Sequence, residues 1–487
     1  MDVFALVDHL QGERFEELER ALKELAAAAE RDPRTETDLA MAVEAVLGSG
    51  EPSRGRSIER WARERPASAW ARAGLAHHYR TVGYRARGTK LASETPAASF
   101  DAMENWHERA VREADRAARL DPSLVEPHLV RMSVVRAGWG GFELDLSSVE
   151  LSLEGLDLSG IVRAKPACRA QAEEALAIAP WSYRVRTSLL ACLDPMWGGS
   201  VEETLEVARA AQEHVDANPK LQALLGFPHY RLAEAARREG DLPRALDRIN
   251  CALAEGEYAP FYDTRASLYV QLERFDEALA DRTRAVELYP TSVGPRVRRA
   301  WDLARAGDVD AALAEVELAA RLEPASPLLG RVTEDGLWSA AVEAAAWEVD
   351  QDRTDVALER LAEIAERRPS LPKLHYYLAY AHWDNLDHAR AEDALEEAIR
   401  LDPKYFEAIK LLDRLLSRER QWERILGYWN RYLALVPDDA NALFERSGTL
   451  HHLGDGAGAL RDVQAACELG SREACSMEPR VRRMYGE

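Results

Sequence analysis

Residues 378–403 read LAYAHWDNLDHARAEDALEEAIRLDP and residues 268–290 read LYVQLERFDEALADRTRAVELYP. Each is a pair of helix-periodic runs around a short polar turn, with alanines where two helices would cross and a proline at the end. The same phase runs outward from both. Proline recurs at Pro290, Pro324, Pro369, Pro403 and Pro437, at spacings of 34, 45, 34 and 34 residues. Five residues before each stand Ala285, Ala319, Ile364, Ala398 and Tyr432, and twelve before each stand Ala278, Ala312, Ala357, Ala391 and Ile425. Ala245 with Ala252, and Ala459 with Ala466, continue the phase in flanking units that lack the proline. The surplus in the one long interval falls in the loop around Ser326 to Asp335.

Small residues let the two helices of a unit approach closely, and the proline ends the second. Turns such as Glu239-Gly240-Asp241 and Ala306-Gly307-Asp308 separate them. One unit cannot cover its own apolar face, so the units are stable only as an array. Ile425 and Tyr432 replace small residues and predict a splayed or differently packed sixth unit. The pattern resembles the tetratricopeptide repeat family over seven units spanning 226–471, with a segment 472–487 whose basic helix at 479–484 would cap the last unit. The expected fold is all-α, a superhelical solenoid of helix-turn-helix repeats with one small β-hairpin-like insert.

Residues 1–225 are expected to form an irregular helical-repeat domain. Helical runs fall at about 12–31, 36–47, 55–64, 67–85, 99–120, 123–137, 165–178, 182–192 and 200–217, and Ser200 with Glu203 forms a capping box. Asp121-Pro122, Ala179-Pro180 and Asn218-Pro219 read as unit ends at irregular intervals. The segments WARERPASAWARAGLAHHYRTVGYRARG (61–88), WHERAVREADRAARLDP (106–122) and LDPMWGGSVEETLEVA (193–208) resemble an uncharacterised bacterial domain family found ahead of tetratricopeptide or Sel1-like repeats. That resemblance implies organisation and no reaction. Trp139-Gly140-Gly141 and Trp197-Gly198-Gly199 read as structural corners. Between them, FELDLSSVELSLEGLDLSG (142–160) alternates apolar residues at a strand period and carries five acids and no base, which predicts a small β-hairpin or extended flap whose acidic edge either recruits a cationic group or, the favoured reading, keeps the edge from pairing with other chains.

The 487 residues carry 84 acidic and 63 basic side chains, a net charge of -21, and 47% are hydrophobic, enough for a large core. Such a surface repels phosphate backbones, which excludes nucleic acid as a partner. No apolar run approaches the roughly 18 residues of a membrane span. Met1 to Asp8 has two acids and no basic opening, unlike a signal peptide. The five cysteines have no CxxC spacing and read as reduced thiols, so the expected location is a bacterial cytoplasm.

No phosphate loop, GxGxxG, HExxH or GxSxG occurs. His77-His78 and His451-His452 are adjacent and would point about 100° apart on a helix. His375 and His382 share a face, with His388 beyond, but occupy positions that pack between helices. No catalytic residue, metal or cofactor is therefore expected, and the chain reads as a non-enzymatic interaction scaffold. The alternative is that the N-terminal half is a catalytic or small-ligand-binding domain supported by the repeats, which predicts a deep polar pocket there.

In arrays of the resembled family, the second, fifth, sixth, ninth, twelfth and thirteenth residues of each first helix line a concave groove. Reading these off seven units gives nine basic against seven acidic side chains. The groove is thus far less negative than the protein. Tyr376, Tyr380 and Trp383 form one aromatic stripe, and one repeat on Lys410, Arg414 and Arg418 form a basic stripe beside it. Arg298, Trp301 and Arg305 repeat the motif on a smaller scale. This combination suits a protein or peptide partner offering an apolar anchor followed by acidic groups.

Overall fold

The computed structural model describes residues 2–88, 94–137, 159–194 and 199–485. Among these the chain forms 25 α-helices and no strand. Four helices open it: α1 (Val3–Gln11), α2 (Phe15–Arg31), α3 (Glu36–Val46) and α4 (Pro52–Glu64). Three helix pairs with long connections follow, α5 (Ala69–Arg87) and α6 (Ala97–Leu120), α7 (Glu126–Ala137) and α8 (Ser159–Ile178), α9 (Tyr183–Cys192) and α10 (Val201–Ala211). Next come α11 (Phe227–Arg238), α12 (Leu242–Glu255), α13 (Ala259–Gln271), α14 (Phe275–Leu288), α15 (Val293–Arg305) and α16 (Val309–Leu322). The array ends with α17 (Glu334–Asp350), α18 (Thr354–Arg367), α19 (Pro372–Asp384), α20 (His388–Leu401), α21 (Phe406–Arg418), α22 (Trp422–Leu435), α23 (Ala440–His452), α24 (Gly456–Glu468) and α25 (Arg472–Tyr485). The chain divides into two compact units: unit 1 is Met1–Arg299 with Ala314–Arg331, and unit 2 is Ala300–Leu313 with Val332–Glu487.

The alanines read from the repeat are the helix crossings. Ala278, Ala285, Ala391 and Ala398 are fully buried. So are Ala245, Ala252, Ala312 and Ala319. In the sixth pair, buried Ile425 and Tyr432 hold α21 and α22 less closely than α19 and α20. Phe406 fills that space against the rings of Trp429 and Tyr432, and the Tyr432 hydroxyl donates to Asp439 at 2.7 Å.

The turn inside each of the seven pairs places one residue at positive φ: Gly240 (80°), Glu273 (58°), Gly307 (94°), Asp352 (57°), Leu386 (60°), Arg420 (57°) and Gly454 (80°). Glycine adopts that conformation freely, while the four others hold it against the clash of Cβ with the backbone.

Within unit 1 the first helices pack on the end of α16. The Arg54 guanidinium is buried and donates to the carbonyls of Ala45 (3.1 Å), Leu322 (2.6 Å) and Arg321 (2.7 Å). It thereby satisfies the unpaired C-terminal carbonyls of α3 and α16 together. Arg321 lies 4.0 Å over the Phe4 ring, and Val3, Met41, Ala45 and Leu322 form a small apolar cluster.

Several expectations are corrected. α1 was not anticipated. Cys168 is bonded to Cys192 and Cys467 to Cys475, leaving Cys251 free and exposed, where reduced thiols were expected. The tail helix spans Arg472–Tyr485, longer than the basic stretch suggested. The strand-like insert lies outside the described residues except for 159–160, which begin α8. Trp139-Gly140-Gly141 and Trp197-Gly198 also lie outside them. Gly199 is described, and a Cβ there would fall 1.7 Å from the Leu193 carbonyl oxygen, as a tight corner requires.

Candidate binding sites

Unit 2 holds most of the residues singled out from the sequence. Tyr376, Tyr380 and Trp383 all project from α19 and are half-buried. The Tyr376 ring meets Tyr405 at 5.3 Å and Tyr377 edge-on at 5.1 Å. The Tyr380 hydroxyl donates to Asp350 Oδ1 at 3.2 Å. One helix pair on, Arg418 is exposed and its guanidinium sits 5.6 Å over the Trp383 ring. Lys410 ion-pairs with Glu445 at 2.7 Å and lies 5.7 Å from the Phe406 centroid. Arg414 is exposed and makes no ion pair or hydrogen bond among the described residues. Burial raises the Tyr376 pKa and the Glu407 charge raises it further, while the Arg414 charge opposes them through space.

The structure thus brings one member of each stripe into contact, the Arg418 cation on the Trp383 face. It also adds Tyr405, which precedes α21 and lies outside the helical positions that the periodic reading sampled; Tyr377, the sixth residue of α19, was among those positions. The smaller motif is divided. Arg298 belongs to unit 1 and pairs with Asp263 at 2.5 Å. Trp301 and Arg305 belong to unit 2, where Arg305 pairs with Asp302 at 3.1 Å and Trp301 packs over Gly336.

Unit 1 contains a cavity of ≈1000 Å³, walled largely by the odd-numbered helices. One carboxylate ties three of them. Glu126 of α7 accepts two hydrogen bonds from Arg184 of α9, at 2.7 and 3.0 Å, and lies 3.1 Å from His77 Nε2 of α5. Burial alone would raise the Glu126 pKa, but Arg184 and His77 outweigh it and hold it at about 2. Burial keeps His77 neutral by lowering its pKa, against the pull of Glu126. A second carboxylate, Glu36 of α3, accepts from the backbone of Tyr183 at 2.7 Å and Arg184 at 3.4 Å and is held by the Ser182 hydroxyl, so it caps the start of α9. Burial raises its pKa against those bonds.

The histidines that raised the question of a metal are engaged separately. His78 Nδ1 is 3.1 Å from the Ser49 carbonyl, on a different side from His77. His375 Nε2 is 2.6 Å from the Pro369 carbonyl, and His388 lies edge-on to Trp383. No three His, Cys, Asp or Glu side chains converge as metal ligands among the described residues. No described helix is long and apolar enough to cross a membrane.

Residues 259–292 and 348–406 each match a tetratricopeptide repeat family model. No curated protein matches the sequence. Among solved structures, the chain is similar to yeast Tom70, with 14% identity over 96% of each chain and a TM-score of 0.30. It is similar to the P58(IPK) TPR domain, at 14% identity over 97% of each chain and a TM-score of 0.24. It is also similar to YrrB, described as a TPR protein with an unusual peptide-binding site, at 18% identity over 42% of this chain and 98% of that one, with a TM-score of 0.23. The chain is an all-α solenoid that contains tetratricopeptide repeats.

Proposed function

We propose that this protein is a non-enzymatic interaction scaffold whose unit 2 groove docks a peptide or helix of a partner protein. Tetratricopeptide arrays are interaction modules, and stacked repeats create extended concave surfaces for that purpose. The observation that carries the finer reading is the exposed Arg418 guanidinium over the half-buried Trp383 ring, with Arg414 one turn earlier on the same helix exposed and without an ion-pair partner among the described residues. Arg418 extends the cationic row over Trp383. An apolar side chain seated among Tyr376, Tyr380 and Trp383 would present acidic residues that follow it to Arg414 and Arg418.

The test is fluorescence anisotropy with a labelled short peptide carrying a phenylalanine followed by a run of glutamates. Binding should weaken as salt rises. Arg414→Glu with Arg418→Glu should lower affinity by at least about tenfold, the loss of one charge-assisted contact. Both residues are exposed, so helical content and melting should not change. Lys410 is left intact because a glutamate there would face Glu445 and disturb the fold. Equal affinity in the double variant would remove the groove from consideration.

A further inference from the structure

The unit 1 cavity has a wall whose charges are mostly neutralised by contact. Arg184 is matched by Glu126, and Asp263 by Arg282 and Arg298. Lys220 donates to the Arg34 carbonyl at 3.2 Å and to the Thr37 hydroxyl. Two wall cations are different, as are the wall acids Glu44 and Glu255, which form no ion pair among the described residues. Arg80 of α5 and Arg136 of α7 make no hydrogen bond or ion pair through their guanidinium groups among the described residues. Glu44 and Glu126 act on Arg80 only through space. The pair is also mutually repulsive: burial lowers the Arg80 pKa, and the Arg136 charge lowers it further.

A partly buried guanidinium that makes no contact with a counter-charge is costly, and two on one cavity wall are costlier. Each presents a planar fork of donors that matches an oxyanion, and an anion shared between them would remove both penalties. Apolar side chains lie close by, Leu129 and Met132 of α7 among them. The volume is that of a site for a small organic molecule and is too small for a folded partner element.

We propose that this cavity binds a small molecule bearing an oxyanion, a carboxylate or a phosphate, with Arg80 and Arg136 as the anion-binding pair and the Leu129–Met132 surface against its apolar part. The site lies wholly within unit 1 and stands or falls separately from the peptide groove of unit 2.

The experiment is thermal unfolding and calorimetric titration of the full chain with inorganic phosphate and with succinate, each against sodium chloride at equal ionic strength. Either anion should raise the melting temperature saturably. A response to phosphate alone assigns a phosphoryl ligand, and a response to succinate alone assigns a carboxylate. Arg80→Met and Arg136→Met should each abolish the saturable response. Without anion they should melt at or above the wild-type temperature, because a partly buried charge without a contact partner is gone; a merely structural arginine would shift melting the other way. Arg136→Lys keeps the charge but loses the fork, and should weaken binding by about tenfold. The proposal is overturned if neither anion gives a saturable shift, if the shift survives either methionine variant, or if those variants melt below wild type without anion.

Discussion

The sharpest prediction concerns Glu126, a carboxylate with a side chain 1% exposed that joins α5, α7 and α9 through His77 and Arg184. Glu126→Gln keeps the shape and removes the charge, leaving Arg184 in a largely buried position without its counter-ion. Removing one member of a buried pair costs about 3–5 kcal/mol. The titration argument agrees. A carboxyl held at about 2 in the fold instead of 4.5 contributes about 3 kcal/mol at neutral pH. Because the folded pKa is the lower one, that contribution is complete above pH 4.5 and disappears as pH falls toward 2. His77 has the same sign, since its folded pKa is also lowered. Two units need not unfold together, so the readout is hydrogen exchange of α5, α7 and α9 amides in urea rather than a single global midpoint. Glu126→Gln should accelerate exchange in all three helices at pH 7 and flatten their acid dependence between pH 4.5 and 2. Adding Arg184→Met should restore much of the loss, because the orphaned charge goes with it. If Glu126→Gln stays within about 1 kcal/mol of wild type at pH 7, or the double variant is worse than the single, Glu126 is not the tie between these helices.

The repeat turns give a prediction of opposite sign. Leu386 is 77% exposed at φ 60°, so Leu386→Gly should stabilise unit 2 by about 1 kcal/mol, whereas Gly307→Ala at φ 94° should destabilise by a similar amount; amide exchange of the unit 2 helices in urea decides it for both variants. Arg54→Met removes the shared cap of α3 and α16 and should cost about 2 kcal/mol, seen as faster amide exchange at the ends of both helices and unchanged exchange in α19 to α24. Native protein treated with iodoacetamide should gain a single adduct, on Cys251, and five only after denaturation with reductant; two or more native adducts would mean that a cysteine pair is open.

The repeat half was legible because its determinants are local and periodic. The alanines of Ala391 and Ala398 and the terminal Pro403 recur at a fixed spacing and dictate a close crossing and a stop wherever they occur. In the first half the helices themselves were readable, since α2 to α10 follow the amphipathic runs to within several residues. The period was not, because the long connections fall inside the pairs, at 88–96, 138–158 and 193–200, while Pro122, Pro180 and Pro219 still follow their second segments. α1 was missed although its signal is present: Asp2 accepts from the backbone of Phe4 at 3.0 Å and Ala5 at 3.2 Å, an N-cap before a nine-residue helix. The cavity was not legible at all. Arg80 and Arg136 lie 56 positions apart in a chain with many arginines, and only the packing of α5 beside α7 makes them neighbours.

Counting groove charges by sequence position gave a nearly neutral surface with a slight basic excess, but charge count and available charge are different quantities. In unit 2 the acids sit one helix pair from the bases and cancel them by contact: Lys373 meets Glu343, Lys410 meets Glu445, and Tyr380 and Thr354 occupy Asp350 and Asp384. Each such pair is at least partly exposed and contributes at most about 1 kcal/mol to stability, so its main effect is to remove charge from the surface offered to a partner. What is left on α21 among the described residues is Arg414, with Arg418 on the Trp383 indole, and one acid, Glu407. In unit 1 the same kind of pairing neutralises Arg184, Arg298 and Asp263 but stops short of Arg80 and Arg136, which line the cavity. Water screens an exposed arginine such as Arg414 and makes its isolation inexpensive; the screening is weaker for the partly buried Arg80 and Arg136. The unpaired cations of unit 1 therefore carry the stronger demand for an anionic ligand, even though the groove of unit 2 has the more conspicuous sequence.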